Sequence, residues 1–341
     1  MNKKHHLYRE DLKRILDVRG LENIKGKRFL ITGATGLIGV HLIDALMLLG
    51  DVEVIAVGRD KEKAVKRLGE YYGSPLFTFL EQDVREAFPP DMMIDYIIPL
   101  ASNTHPLAYS QFPLETLFIN LKGAEHALEK AVQCNATVLY PSSVEIYGNA
   151  YEREAFTEAH TGKLNLLNTR SCYPESKRTA EAMCLAYFSQ KGVKVKIARL
   201  CRTIGPTMLE SDSKASSQFI NKAINNEDII LKSKGDQFFS YIYATDAVCA
   251  MLHILLNGEN GVTYNISNEA ANVYLKDFAN ICALYNGKKV IYDLPSDTEK
   301  KGFSIATNAI LDNTLLKKTG WEPYYNLSDA ILRTIKIVKN E

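Results

Sequence analysis

Residues 28–39 constrain the fold more than any other stretch. Arg28-Phe29-Leu30-Ile31-Thr32 is a short apolar run of strand type, and it ends in Gly33-Ala34-Thr35-Gly36-Leu37-Ile38-Gly39. From Leu37 onward the apolar spacing turns helical, so the unit is strand, glycine turn, helix. Glycines at such a turn let backbone approach a pyrophosphate closely, and the free amides and positive dipole end of the helix stabilise its charge. The spacing here is GxxGxxG, at Gly33, Gly36 and Gly39, and its place after a first strand makes dinucleotide binding its expected use.

The rhythm continues along the chain. Strand-type runs at 53–57, 77–80, 96–100, 137–141 and 193–200 alternate with helical stretches at 61–72, 114–134 and 173–190. That alternation predicts an α/β fold, a Rossmann-type doubly wound parallel sheet with helices on both faces and ligands at the carboxyl ends of the strands. Beyond Gly205-Pro206 the elements shorten: a helix from Ser216, an apolar patch at 228–231, aromatic strands at 238–243, a strand-like run at 262–266, and helices at 245–256, 275–283 and 327–338. The expected organisation is an NAD(P)-binding domain over 1–205, with an N-terminal extension at 1–27, and a smaller α/β substrate lobe over 206–341. Some segments of the lobe are expected to return to the first domain.

Lys plus Arg number 41 against 40 Asp plus Glu, so no basic excess points to nucleic acid or an anionic membrane as partner. No run approaches the roughly 18 to 20 apolar residues of a membrane span, and 1–27 carry no apolar signal core, so a cytoplasmic location is expected. Cys134, Cys172, Cys184, Cys201, Cys249 and Cys282 lack CxxC or Cys/His ligand spacing. Neither a disulfide framework nor a metal site is expected.

The end of the second strand chooses between dinucleotides, because an acidic side chain there binds ribose hydroxyls and an arginine accommodates a 2′-phosphate. Val57-Gly58-Arg59-Asp60 leans to NADP through Arg59, while Asp60 leaves NAD open. Asp83, after the third strand, stands where a carboxylate or its neighbouring backbone can meet adenine, an ordinary loop aspartate being the plain alternative. Tyr173 and Lys177 lie four residues apart, on one face of a helix. A nearby ammonium lowers a phenol from its usual pKa of ~10, so the tyrosine can take a hydroxyl proton while hydride leaves the carbon for nicotinamide. Lysine can also bind the cofactor ribose. Ser142-Ser143-Val144-Glu145 comes directly after the fifth strand, where a serine hydroxyl can reach the same substrate oxygen.

Four strings in order, TGATGLIG (32–39), PSSVEIYG (141–148), SCYPESK (171–177) and GWEP (320–323), together resemble the extended short-chain dehydrogenase/reductase family. Within it they look like the nucleotide-sugar epimerases, dehydratases and decarboxylases, over nearly the whole chain from Lys27. The resemblance implies a base at Tyr173, its lysine at Lys177 and a hydroxyl partner at Ser143. It also implies a dinucleotide held by Thr35, Leu37 and Ile38 of the glycine turn. Asp83 and Val84, then Leu100, Ala101 and Ser102, and finally Asn120 would complete that site. Asn103, Thr104, His105, Ser142 and Arg202 would line the substrate, although a lone histidine such as His105, before Pro106, is more often structural than catalytic. Relatives pair into dimers through the helices at 114–134 and 173–190, so a homodimer is expected.

Members of this group first make a keto-sugar, usually at C4. The fate of that ketone depends on Glu145: simple 4-epimerases tend to have a small or hydroxyl residue there, whereas 4,6-dehydratases and UDP-glucuronate decarboxylases carry Glu. The expectation is therefore a nucleotide-sugar enzyme that oxidises a hydroxyl with NAD or NADP and then removes carbon dioxide or water. A 4-epimerase or an NADPH-dependent reductase is the alternative, and a non-catalytic dinucleotide sensor is the alternative of another class. Several positions depart from the family pattern. Val144 replaces the acid of the dTDP-glucose dehydratases, Phe239 stands where a pyrophosphate-binding arginine is expected, and Arg202 stands where an asparagine is expected. An arginine at 202 could replace the missing phosphate contact. Phe303-Ser304-Ile305 occupies the place of a decarboxylase basic residue, with Lys300 and Lys301 nearby.

Overall fold

The computed structural model describes residues 1–104, 106–148, 154–294 and 308–341. His105 and positions 300–305 lie outside the described residues. The first half runs α1 (His6–Leu16), β1 (Arg28–Thr32), α2 (Leu37–Leu49), β2 (Glu53–Gly58), α3 (Lys61–Leu68), β3 (Phe77–Glu81), β4 (Tyr96–Pro99), α4 (Pro106–Gln111), α5 (Pro113–Cys134), β5 (Thr137–Ser143), α6 (Cys172–Lys191) and β6 (Lys194–Leu200). The second half adds β7 (Arg202–Ile204), α7 (Ala215–Ile224), β8 (Ile229–Leu231), β9 (Phe238–Tyr243), α8 (Ala244–Asn257), β10 (Thr263–Ile266), β11 (Asn268–Tyr274) and α9 (Leu275–Leu284). The chain closes with β12 (Val290–Tyr292), β13 (Asn308–Ala309), α10 (Thr314–Lys317) and α11 (Leu327–Lys339).

Among the described residues the main sheet is seven-stranded, in the order β10-β6-β5-β4-β1-β2-β3, and every pairing in it is parallel. This is the doubly wound Rossmann-like arrangement that the alternation predicts. Its strands are apolar on both sides because both faces are covered. Phe29, Ile31, Ile98 and Leu139 point into the core shared with α1, α2 and α8, while Leu30, Ile97, Val138 and Tyr140 point into the one shared with α5 and α6. Strand order reverses between β1 and β4, and the crevice at such a switch point is where open α/β sheets bind ligands. The glycine turn, Arg59, Leu100 to Thr104, Ser143 to Glu145 and Arg202 all succeed or end strands on that side.

The remaining strands form a small sheet, β11-β9-β13 with β7 beside β9, and a β8/β12 pair. The stretch expected as one helix to residue 72 stops at Leu68, with Gly69 capping α3 before a single tight turn. The N-terminal segment is part of the core: Asp11 of α1 is fully buried and accepts from Tyr243 Oη (2.6 Å), Tyr325 Oη (2.9 Å) and Arg333 Nε (2.9 Å).

One buried ion pair ties α6 to the sheet beneath the site. Arg199 of β6 donates Nε to Glu181 Oε1 (3.0 Å) and Nη2 to Oε2 (2.7 Å), and its Nη1 donates to Tyr147 Oη (2.7 Å). Tyr147 in turn donates to Asn265 Oδ1 of β10 (2.7 Å). Glu181→Ala would leave the guanidinium buried without its carboxylate, and a loss of about 3–5 kcal/mol is expected. Urea unfolding at constant slope measures it; a change no larger than that of an exposed pair, under about 1 kcal/mol, would refute the role.

Candidate active site

At the switch point a cleft of about 510 Å³ runs from the glycine turn to the end of β5. Gly33 has φ +63° and lies so close to β4's exit that a Cβ would sit 2.7 Å from Ala101 N; a Cβ on Gly39 would sit 2.5 Å from Gly33 O. Only glycine fits either place. Gly36 caps α2, and the first bond of that helix is Val40 N to Gly36 O, so the amides of Leu37, Ile38 and Gly39 are the helix-start donors that face the cleft.

Tyr173, Lys177, Ser143 and Glu145 all line this cleft. Tyr173 and Lys177 are held on α6, whose early turns are pinned to α5 by Asn120 Nδ2 donating to Ser176 Oγ (2.8 Å). Ser143 ends β5, and its Oγ accepts from the Glu145 amide (3.2 Å) in the tight turn Val144–Tyr147. Lys177 is buried and donates Nζ to Pro141 O (2.8 Å), lying 4.9 Å from the centre of the Tyr140 ring. Burial pulls its ammonium down to about 8, with the Glu181 charge opposing. The phenol departs from the expectation. Tyr173 stands above its ordinary value, first through burial, then through the Glu145 charge, with the Ser143 hydroxyl acting the other way. Lys177 donates to Pro141 O, and among the described residues no hydrogen bond joins it to the phenol. Glu145, half-buried, is itself raised by burial, against the opposing charges of Arg202, Arg170 and Lys214.

The other sequence candidates divide. Thr35, Leu37, Ile38, Arg59, Val84, Leu100, Ala101 and Ser102 line the cleft, as do Asn103, Thr104, Ser142 and Arg202. Asp83 and Asn120 do not. Asp83 is held by Arg85 (2.6 Å), which keeps its carboxyl low, and Asn120 is buried between α5 and α6. Arg59 contacts Glu115 (2.8 Å) and Asp83 (3.7 Å), and Asp60 caps α3 by accepting from Lys63 N (2.8 Å).

A family model described as the NAD dependent epimerase/dehydratase family matches residues 29–267. The chain belongs to that family. UDP-glucuronic acid decarboxylase 1 of Danio rerio is 31% identical over 327 residues, 95% of this chain and 75% of that protein. UDP-glucuronic acid decarboxylase 6 of Arabidopsis thaliana is 30% identical over 307 residues, covering 89% and 86%. Among solved structures, a dTDP-glucose 4,6-dehydratase of Streptomyces venezuelae with NAD and TYD bound aligns with a TM-score of 0.79 at 21% identity, over 92% of this chain and 97% of that one. A UDP-glucose 4-epimerase of Thermotoga maritima with UDP-glucose aligns equally well, at 0.79 and 21%, over 92% and 99%. The chain is thus an NAD(P)-dependent enzyme of the epimerase/dehydratase family, with that family's fold.

The residues present fit a dinucleotide: the cradle at Gly33 and Gly39 is one that any Cβ would fill, and it faces uncommitted helix amides. Gly33, Gly36 and Gly39 would hold the pyrophosphate and Lys177 a ribose. Because the Lys177 charge is lost as pH rises through about 8, dinucleotide affinity is expected to weaken across that range. Calorimetric titration checks it, and an affinity that stays constant there would remove Lys177 from cofactor binding.

Sequence reasoning missed two features. Tyr109 of α4 stacks on Tyr173 with ring centres 4.9 Å apart and donates Oη to Thr104 O (3.0 Å). Lys214, paired with Asp212 (3.2 Å), lines the cleft from the segment before α7. Neither lies in a motif, and only the folded chain brings them to the site.

Proposed function

We propose that this enzyme oxidises the C4 hydroxyl of a nucleotide-linked uronic acid and then releases carbon dioxide, with UDP-glucuronate the first substrate to test. The observation that carries this reading is Glu145, a half-buried carboxyl raised above its ordinary value in the same cleft as Ser143 and Tyr173. Tyr173 takes the hydroxyl proton while Ser143 holds the same oxygen. When bound at the glycine turn, the oxidised dinucleotide would supply a hydride acceptor and a positive charge. A ketone at C4 lies β to the C6 carboxylate, so the C5–C6 bonding pair moves toward the carbonyl oxygen as carbon dioxide departs. C5 then needs a proton, and the Glu145 carboxyl, which burial pushes toward its protonated form, is the group proposed to deliver it. The relatives named UDP-glucuronic acid decarboxylase support this choice.

Incubation with UDP-glucuronate and with dTDP-, GDP-, CDP- and UDP-hexoses, and then mass spectrometry, tests it. Loss of carbon dioxide from the uronate upholds the proposal. Loss of water from a hexose would replace it with 4,6-dehydration, in which the Glu145 carboxylate removes the C5 proton. Isomers of unchanged mass would indicate 4-epimerisation.

Residues 1–205 would hold the dinucleotide and 206–341 would form the substrate lobe with some segments returning to the first domain, a reading supported by the small sheet around β9 and by β10, which pairs with β6 in the main sheet; β7, before residue 205, joins the small sheet. The carboxylates beside Arg59 offset its charge and support NAD over NADP. Exposed Leu114 and Phe118 on α5, with Leu185 and Phe188 on α6, support pairing of two copies through these helices. The six cysteines are free, in keeping with a cytoplasmic setting.

A further inference from the structure

Arg202 begins β7, which runs parallel beside β9 with Arg202 opposite Tyr241. That pairing places the Arg202 guanidinium carbon 3.5 Å from the centre of the Phe239 ring. Two departures that look unrelated along the chain, an arginine at 202 and a phenylalanine at 239, are therefore one structural unit. The cation is carried on β7, and β9 provides the shelf beneath it.

Stacking uses the flat face of a guanidinium and leaves its N–H edge available for planar recognition. Here one end of that edge is unused: Nη1 is shut off from solvent and has no hydrogen-bond partner among the described residues. Ser142 Oγ, at the end of β5, is buried and unpartnered in the same way, and both residues line the cleft. A buried donor without an acceptor is costly, and in a binding cleft it marks the place of a ligand acceptor. The charges point the same way. Lys214 is already paired with Asp212, whereas Arg202 lines the same cleft as Glu145 and keeps Nη1 unpartnered.

We infer that Arg202, shelved on Phe239, grips a pair of anionic oxygens on the substrate and so determines which substrates bind. The inference rests on the nucleotide-sugar reading above. The nucleotide pyrophosphate and a uronic acid carboxylate share the required chemistry, two oxygens with shared negative charge that match the guanidinium fork.

The test is calorimetric titration of UDP, UDP-glucose and UDP-glucuronate into NAD-loaded wild type, Arg202→Met and Arg202→Lys, each carrying Tyr173→Phe so that no substrate is consumed. Arg202→Met is expected to weaken binding roughly 10- to 100-fold, the range for a lost hydrogen-bonded charge. Loss for all three ligands identifies the pyrophosphate as the group held, and loss for UDP-glucuronate alone identifies the carboxylate. Arg202→Lys should recover only part, because an ammonium lacks the fork. Unchanged NAD affinity in both variants verifies that they fold. Equal affinities of wild type and Arg202→Met for every ligand overturn the inference. A wild type that binds none of the three overturns the functional reading instead, and inorganic pyrophosphate then decides the role of Arg202. A melting temperature raised by pyrophosphate in wild type but not in Arg202→Met upholds the anion site, and the same response in both refutes it.

Discussion

Tyr173→Phe is expected to lower turnover by about 10²- to 10⁴-fold, the usual worth of a positioned acid or base, while dinucleotide affinity and stability stay near wild type. The ring of Tyr173 is buried and stacked on Tyr109 at 4.9 Å, and phenylalanine keeps that contact. What it removes is the phenol oxygen proposed above as the acceptor of the hydroxyl proton, in the cleft that Ser143 also lines. Steady-state rates and a dinucleotide titration on the same preparation separate the two effects. Turnover within a factor of a few of wild type would move the base elsewhere in the cleft.

Glu145→Gln is expected to divide the reaction. Product formation should fall by about 10²- to 10⁴-fold, whereas a single turnover should still reduce the cofactor, because the proposed base for the hydroxyl is Tyr173. Near-ultraviolet absorbance of reduced nicotinamide reads the first step and mass spectrometry the second. Electrostatics adds a second signature. The Glu145 charge holds the Tyr173 phenol up, so a neutral amide lowers it. The rise of the oxidation rate with pH should accordingly shift to lower pH in the variant. A variant that forms product at the wild-type rate would exclude Glu145 from the later step.

Much of the fold was legible because its signals are local. Alternating apolar runs and helical periods need no knowledge of partners, and the parallel sheet is their consequence once both faces must be covered. The short elements were not legible. β7, β12 and β13 are three residues or fewer and exist through pairing with β9 or β8, so no period within them could announce a strand. The boundary of α3 shows the same limit: a glycine cap at residue 69 ended a charged run that the pattern alone would carry further.

Local chemistry along the chain accounts for the glycine turn, since Gly39 meets Gly33 O within that one turn and Gly33 takes a positive φ, and for Tyr173 and Lys177 sharing a helix face. Only the tertiary structure decided what those groups meet. It gave the Lys177 hydrogen bond to Pro141 O, set Tyr109 against Tyr173, and surrounded Arg59 with Glu115 and Asp83. It also brought Arg202 onto Phe239 from a neighbouring strand. The reason is physical: a pKa, an ion pair or an unpartnered donor depends on burial and on charges a few ångströms away, and those neighbours come from distant parts of the chain.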